Sequence, residues 1–192
     1  MPDINAPVAA RTRPSPDCVD QERGVPSAPD KERLIAYVEL LYFAYRDFTA
    51  EPDAVLAEFR FGRAHHRVLH FVNRRPGLRV ADLLDILKIT KQSLARVLKQ
   101  LVAEGFVLQQ AGEADRRERL LYPTAKGSAL AEKLASSQIT RIAKALAETG
   151  PDGERAARRF LAGMISPSDR TRVEALIAGA GPCAPAGKEH DR

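Results

Sequence analysis

The chain has no run of about 18 consecutive apolar residues, so nothing in its 192 residues reads as a helix able to span a bilayer. The opening stretch MPDINAPVAARTRPSPDCVD lacks the basic, then apolar, then small-residue order of a secretory signal, which leaves the cytoplasm as the expected location. Cysteine is scarce. Cys18 and Cys183 sit at opposite ends, in segments rich in Pro, Gly and Ala, with no second ligand at CxxC spacing. That excludes a disulfide framework and favours two incidental tail thiols over a redox sensor. The segment GAGP at Gly179–Pro182 follows no strand and opens no clear helix, so it is not a phosphate loop. Cys183 and His190 share a loose tail, which cannot hold a nucleophile and a base in register. These absences argue against an enzyme, and no cofactor is expected.

What is present suits one packed domain with tails. Hydrophobic residues make up 44% of the chain, enough for a core. Net charge is +5, but its distribution says more: residues 60–127 carry 14 basic against 6 acidic side chains, while residues 31–59 carry 3 against 6. Clustered Lys and Arg within one folded segment is the footprint of a polyanion binder, with a solvated basic face as the plainer alternative. Residues 1–29 hold six of the thirteen prolines and little periodic apolar content, which predicts a disordered tail. A second, flexible tail is expected over 179–192.

Between the tails the pattern is mainly helical. A first helix is predicted from Asp30 to about Phe48, with Leu34, Ile35, Val38, Leu41, Tyr42 and Tyr45 at helical spacing. Leu40 and Phe43 widen its apolar face, so it needs more than one neighbour. A second pattern covers about 54–73, with Phe61, Ala64, Val68, Phe71 and Val72 on one face; the segment NRRPG ends it. A third, Val80–Leu87, is only two turns long. Thr90 then reads as an N-cap for KQSLARVLKQLVAEG, where Leu94, Val97, Leu98, Leu101 and Val102 repeat at helical spacing until Gly105. Two such helices joined by a short turn are the signature of a helix-turn-helix.

Phe106–Gln110 and Arg117–Tyr122 read as the strands of a hairpin. Four charged residues, Asp115-Arg116-Arg117-Glu118, occupy its tip, where they can bury nothing. A long helix follows from Thr124 to about Glu148, broken at Gly150-Pro151, with further helical stretches over 154–165 and 169–177. The order of elements is that of a winged helix-turn-helix, in which the capped helix enters the DNA major groove and the hairpin reaches a neighbouring groove or phosphate. Lys91 and Lys99 suit phosphate contacts, and Gln92 and Arg96 can bond adenine and guanine edges. Ser93 can donate or accept, Ala95 allows close approach or touches a thymine methyl, and Thr90 leaves the amide end of the helix near phosphate. The wing candidates are Asp115, Arg116, Arg117 and Arg119.

Leu78–Gly127 resembles the MarR family of bacterial transcriptional regulators. The matching blocks are GLRVADLLDILKITKQSLARVLKQLVAEGFV and DRRERLLYPTAKG, and the specific part is Asp115, Arg117, Thr124 and Gly127 of the wing and its exit. The stretch FGRAHHRVLHFVNRRPGLRV is further similar to a subgroup linked to photosynthetic electron-transport genes in proteobacteria. The resemblance implies a homodimer built from helices at about 30–53 and 127–178, flanking a winged domain at 54–126. It also implies pseudo-palindromic double-stranded DNA as partner, with room for a small-molecule effector between the dimer helices and the winged domain. In the wing it implies that Asp115 holds an arginine by a salt bridge while Arg116 or Arg117 enters the minor groove. Three departures stand out: Pro123 in the second wing strand, which should end that strand early; Gln109-Gln110 where basic residues are common; and Arg79 where Ser or Thr often caps a helix. Peroxide-sensing relatives carry a cysteine in the first helix. This one has Tyr37, Tyr42 and Tyr45 there and no cysteine.

His65 falls in the apolar stripe of the second helix, with His66 and His70 on its polar face beside Arg63 and Arg67. An i, i+4 histidine pair can ligate zinc given a third ligand, but flanking arginines oppose a cation, so no metal is expected. The competing function is a winged-helix module that binds a protein partner, which would replace Lys and Arg on the reading face by apolar anchors.

Overall fold

Pro52 and Glu58–Gly62 decide where the first helix ends. In a computed structural model, which describes residues 28–179, helix α1 runs over Ala28–Ala57, straight through Pro52, and α2 over Arg63–Arg74. The first helix therefore ends nine residues beyond the expected Phe48, and the second starts nine residues after the expected 54. Proline is tolerated because its missing N–H would have bonded the carbonyl of Phe48, and that oxygen instead accepts from Gln138 Nε2 at 3.3 Å. The actual stop is a reciprocal cap. Phe61 N–H donates to Leu56 O and Arg60 N–H to Ala57 O, both at 3.0 Å, with Arg60 left-handed at φ 56°. Glycine usually takes that position, which is why the sequence hides it. The segments 1–27 and 180–192, with Cys18, Cys183 and His190, lie outside the described residues.

The described chain divides after Leu41. Up to that point it is the first part of α1, where residues 30–40 are all exposed. From Tyr42 onward the remainder of α1 is followed by α2, β1 (Leu78–Arg79), α3 (Val80–Leu87), α4 (Lys91–Ala103), β2 (Val107–Ala111), β3 (Arg119–Pro123), α5 (Ala125–Met164) and α6 (Pro167–Ile177). The fold is mainly α with a three-stranded antiparallel sheet of order β1-β3-β2. Strand β1 is too short to show in the sequence; Leu78 and Arg79 pair with Leu121 and Leu120. Among the described residues no helix is long and apolar enough to cross a membrane.

Pro123 does not shorten the second wing strand. It pairs opposite Val107 as the last residue of β3. The next pair outward is joined by Thr124 N–H donating to Phe106 O at 3.1 Å, so the alternation of an antiparallel ladder puts Pro123 where β2 asks for no N–H.

The core sits between α2, α4, the sheet and the start of α5. Leu56, Leu69, Leu83, Leu101, Phe106 and Leu121 are all buried to within 1% of full occlusion, and Val68, Val72, Leu94 and Leu134 join them. Phe106 receives the edges of Phe59 and Phe61 at 5.5 and 5.2 Å between ring centroids, a favoured aromatic geometry. Helix α5 is interrupted at Gly150, φ 68°, giving arms 125–149 and 151–164, as the Gly-Pro pair predicts. Helix α6 buries no residue. Polar ties hold it instead: Arg172 donates to Asp85 O at 2.6 Å, Arg75 to Leu176 O, and Lys88 pairs with Asp169 at 3.4 Å.

The Thr-x-x-Gly exit has a steric cause. Thr124 Oγ1 accepts from Gly127 N–H at 3.0 Å while donating to Gly105 O at 2.8 Å. This draws α5 so close to β2 that a Cβ on Gly127 would lie 2.0 Å from Phe106 O. Gly127→Ala should therefore lower stability by about 1–3 kcal/mol or more, as overpacking against backbone does, measured as a fall in Tm. Gly163→Ala, where an added Cβ meets nothing within 4 Å, should be neutral or slightly stabilising.

Candidate nucleic-acid interface

Helix α4 begins as its sequence requires. Thr90 is extended at φ −69° and ψ 150°, and its Oγ1 accepts from Ser93 N–H at 3.1 Å, a side-chain N-cap. The hydroxyl also donates to Ser93 Oγ at 2.9 Å, so the outward position of Ser93 is defined. The apolar stripe Leu94, Val97, Leu98 and Leu101 is buried, and this turns the opposite face outward. Thr90, Lys91, Gln92, Ser93, Ala95, Arg96 and Lys99 are all exposed. Val102, assigned by its spacing to the buried stripe, remains 38% exposed.

Just before the cap, Lys88 ends α3 in the left-handed region at φ 50°. Such a residue turns the chain sharply, and here it sets α4 across α3 in a helix-turn-helix. Beside the turn an open groove of ≈770 Å³ runs between α3, α4 and β2, floored by Leu84, Leu94 and Leu98 and rimmed by Lys91, Lys99 and Gln109.

The wing tip is a turn bonded to itself. Gly112 N–H donates to Glu118 O at 3.2 Å, Glu118 N–H to Asp115 O at 3.0 Å, and Arg119 Nη1 to Arg116 O at 2.6 Å. Asp115 does brace the wing, but not by the expected salt bridge: its carboxylate accepts from the backbone N–H of Arg117 at 2.8 Å, and among the described residues it pairs with no arginine side chain. The short carboxylate reaches the amide two residues on more readily than a flexible guanidinium. Arg116 and Arg117 are both exposed, Arg117 beside an open groove shared with Arg79, Val80 and Ala81, while Arg119 is tied into the turn.

The ionic contact that does hold the wing involves three residues outside the predicted set. Arg79 donates from Nε and Nη2 to both oxygens of Asp82, at 2.8 and 2.9 Å, and from Nη1 to Glu118 Oε1 at 3.0 Å. Its hydrogen bonds to Asp82 first, then to Glu118, hold its pKa above the ordinary arginine value. The one sequence signal was the arginine itself, at a helix start where Ser or Thr is usual.

Some cations around this face are paired and others are not. Arg63 pairs with Asp53 at 2.8 Å, Arg79 with Asp82 and Glu118, and Lys88 with Asp169. Lys91, Arg96, Lys99, Arg116 and Arg117 have no carboxylate within ion-pair distance among the described residues. They are the cations of α4 and the wing tip.

The histidines of α2 serve the fold. His65 Nδ1 accepts from Gly62 N–H at 3.1 Å, its Nε2 meets Gln100 Oε1 at 2.9 Å, and its ring stacks on Phe61 at 4.7 Å. That links the start of α2 to α4. Among the described residues no group of three or more His, Cys, Asp or Glu stands placed to hold a metal ion. Partial burial lowers the pKa of both His66 and His70, with His70 adding to the shift of His66 and Arg74 to that of His70.

Comparison with known proteins agrees with this geometry. A model described as MarR family matches residues 61–118. The HTH-type transcriptional regulator PetP of Rhodobacter capsulatus is 43% identical over 145 residues, spanning 76% of this chain and 87% of that protein. The structure of an S. aureus MepR–DNA complex is similar with a TM-score of 0.57 at 17% identity, covering 68% of this chain and 96% of that one. A mutant MarR from E. coli complexed with operator DNA gives a TM-score of 0.54 at 19% identity, covering 69% and 96%. At these identities the two structures bear on the fold alone.

Two outcomes follow for the free protein. Thr90→Ala removes the cap of α4 and should cost about 1 kcal/mol, read by denaturant unfolding. The lowered histidine pKa values mean that the unfolded chain takes up protons first as pH falls below the ordinary 6.5. Stability is therefore full above that value and declines through the window beneath it, and a His66→Gln/His70→Gln variant should show a flatter Tm profile there.

Proposed function

Because the chain belongs to the MarR family of transcriptional regulators, we propose that it reads specific double-stranded DNA as a homodimer on a pseudo-palindromic operator. One observation carries this reading: a Thr-capped helix turns Lys91, Gln92, Ser93, Ala95, Arg96 and Lys99 outward, with none of its three cations neutralised by a carboxylate of the described chain. Lys91 and Lys99 contact phosphate, and Thr90 aims the first amides of the helix the same way. Gln92 and Arg96 read adenine and guanine edges, Ser93 donates or accepts, and Ala95 lets the helix approach the base pairs. In the wing, Arg116 and Arg117 probe the flanking minor groove, while Asp115 and Arg119 shape the turn that presents them. A protein-binding winged helix would instead carry apolar anchors on this face.

Uncovered apolar surface supports the dimer. In the first unit Leu34, Val38 and Leu40 are exposed, and in the second Tyr42, Phe43 and Leu161 are each more than half exposed. Monomers rarely leave such surface to water, and a two-fold partner buries it economically. The half-sites of such a dimer lie about one helical turn apart, roughly 10 base pairs. A small-molecule effector and action in the cytoplasm belong to the same reading.

Genome-wide binding in the host would deliver operators and half-site spacing together. On such a fragment, log affinity should fall linearly with log salt. Arg96→Ala should cost about 1–3 kcal/mol and relax preference at one base, whereas Lys99→Ala should weaken all sequences alike and reduce the salt slope by about 1. Purified protein that shifts no enriched fragment at low salt would sink the proposal.

A further inference from the structure

Among the described residues, the wing loop 112–119 has one side-chain attachment to the rest of the domain: Glu118 Oε1 accepting from Arg79 Nη1 at 3.0 Å. The other side-chain bonds of the loop, Asp115 to the Arg117 amide and Arg119 to the carbonyls of Arg116 and Glu118, stay within it. Arg79 is in turn fixed at its other edge by two bonds to Asp82 in the first turn of α3. Its backbone is held as well, because Arg79 lies in β1 opposite Leu120. The guanidinium fork thus joins three elements at one point, with a rigid, planar geometry that a lysine could not copy. The segment it holds carries Arg116 and Arg117 at its tip.

We infer that Arg79 is a positioning residue for the DNA interface, tying Glu118 of the wing to Asp82 of α3 and so fixing how far the two tip arginines stand from the recognition helix. This rests on the reading of α4 and the wing as the DNA-binding face. Arg79 itself need not touch DNA, since its donors are committed to two carboxylates. Glu118 is the wing's inner carboxylate, and the same bond holds its charge toward α3 and away from the groove that Arg116 and Arg117 enter.

Charge alone and the clamp predict opposite signs. Glu118→Ala adds one positive charge, so if Arg79 and Glu118 act only through net charge, operator affinity rises, Arg79→Ala lowers it, and the double variant returns to wild type. The clamp predicts that both single variants lose about tenfold on the full operator, and that the double is no weaker than either, because one interaction is removed in each case. On an operator trimmed of the flanking base pairs that the wings reach, all four proteins should bind alike. Amide hydrogen exchange across 112–119 in the free protein reads the clamp without DNA, and it should quicken in both single variants while exchange in α4 is unchanged. Unchanged exchange overturns the inference even if the wild type binds no DNA. So does an affinity for the full operator that rises in Glu118→Ala, or a loss that is the same on trimmed and full operators. A wild type that binds no operator, with the expected exchange, would instead refute the DNA-binding reading.

Discussion

The contact on which most of this structure depends is the approach of α5 to the start of β2. Thr124 and Gly127 lie at the entry of α5, Gly105 and Phe106 at the exit of α4, and the hydroxyl of Thr124 ties the two by bonding Gly127 N–H and Gly105 O together. Lys126 adds a bond to Glu104 O at 3.0 Å and lies 4.1 Å from the centre of the Phe106 ring. Four elements therefore meet within a few residues. Phe106, buried there, is the ring against which Phe59 and Phe61 stand edge-on, and Phe61 carries His65, which reaches Gln100 on α4. Helix α4 is thus held from behind by a chain of contacts that begins at one glycine without room for a side chain.

That dependence explains which parts of the fold are legible in the sequence. The helix-turn-helix and the wing exit are written in local signals: a threonine cap, a short apolar period, a Gly stop, a Thr-x-x-Gly. Local signals of this kind survive without knowledge of the partner surface. The end of α1 is not local. The helix continues past the expected Phe48 and through Pro52, where Gln138, 86 residues away in sequence, supplies the donor for Phe48 O. The two-residue strand β1 is hidden for the same reason, since its pairing with β3 is tertiary, whereas the left-handed cap at Arg60 is local but sits on a residue type that seldom adopts it.

The candidate site shows the same division. Every residue picked for α4 by the spacing of its apolar neighbours is exposed, because burial of Leu94, Val97, Leu98 and Leu101 leaves those positions no other direction. Wing chemistry is harder to read. Which acid meets which base depends on register, and the register of β1 against β3 brings Arg79 near Glu118 while the turn itself consumes Asp115. The family resemblance implied an Asp-Arg pair inside the turn; the sheet selected a different one.

The pairing of charges carries a final argument about what the fold needs. Exposed ion pairs contribute little to stability, about 0–1 kcal/mol each, so leaving Lys91, Arg96, Lys99, Arg116 and Arg117 without carboxylates costs the folded state almost nothing. Toward a polyanion the balance reverses, because each cation free to neutralise a phosphate releases a counterion, and a neighbouring carboxylate would oppose that. Arginines with architectural positions, Arg63, Arg79 and Arg172, are paired. Lys91, Arg96 and Lys99 stand on the capped helix and Arg116 and Arg117 at the tip of the wing, although exposed cations elsewhere, such as Arg60, Arg67, Lys144 and Arg158, also have no carboxylate within ion-pair distance among the described residues. What distinguishes these five is therefore their place, three on one exposed helix face and two on one turn, from which neighbouring phosphates could be met together.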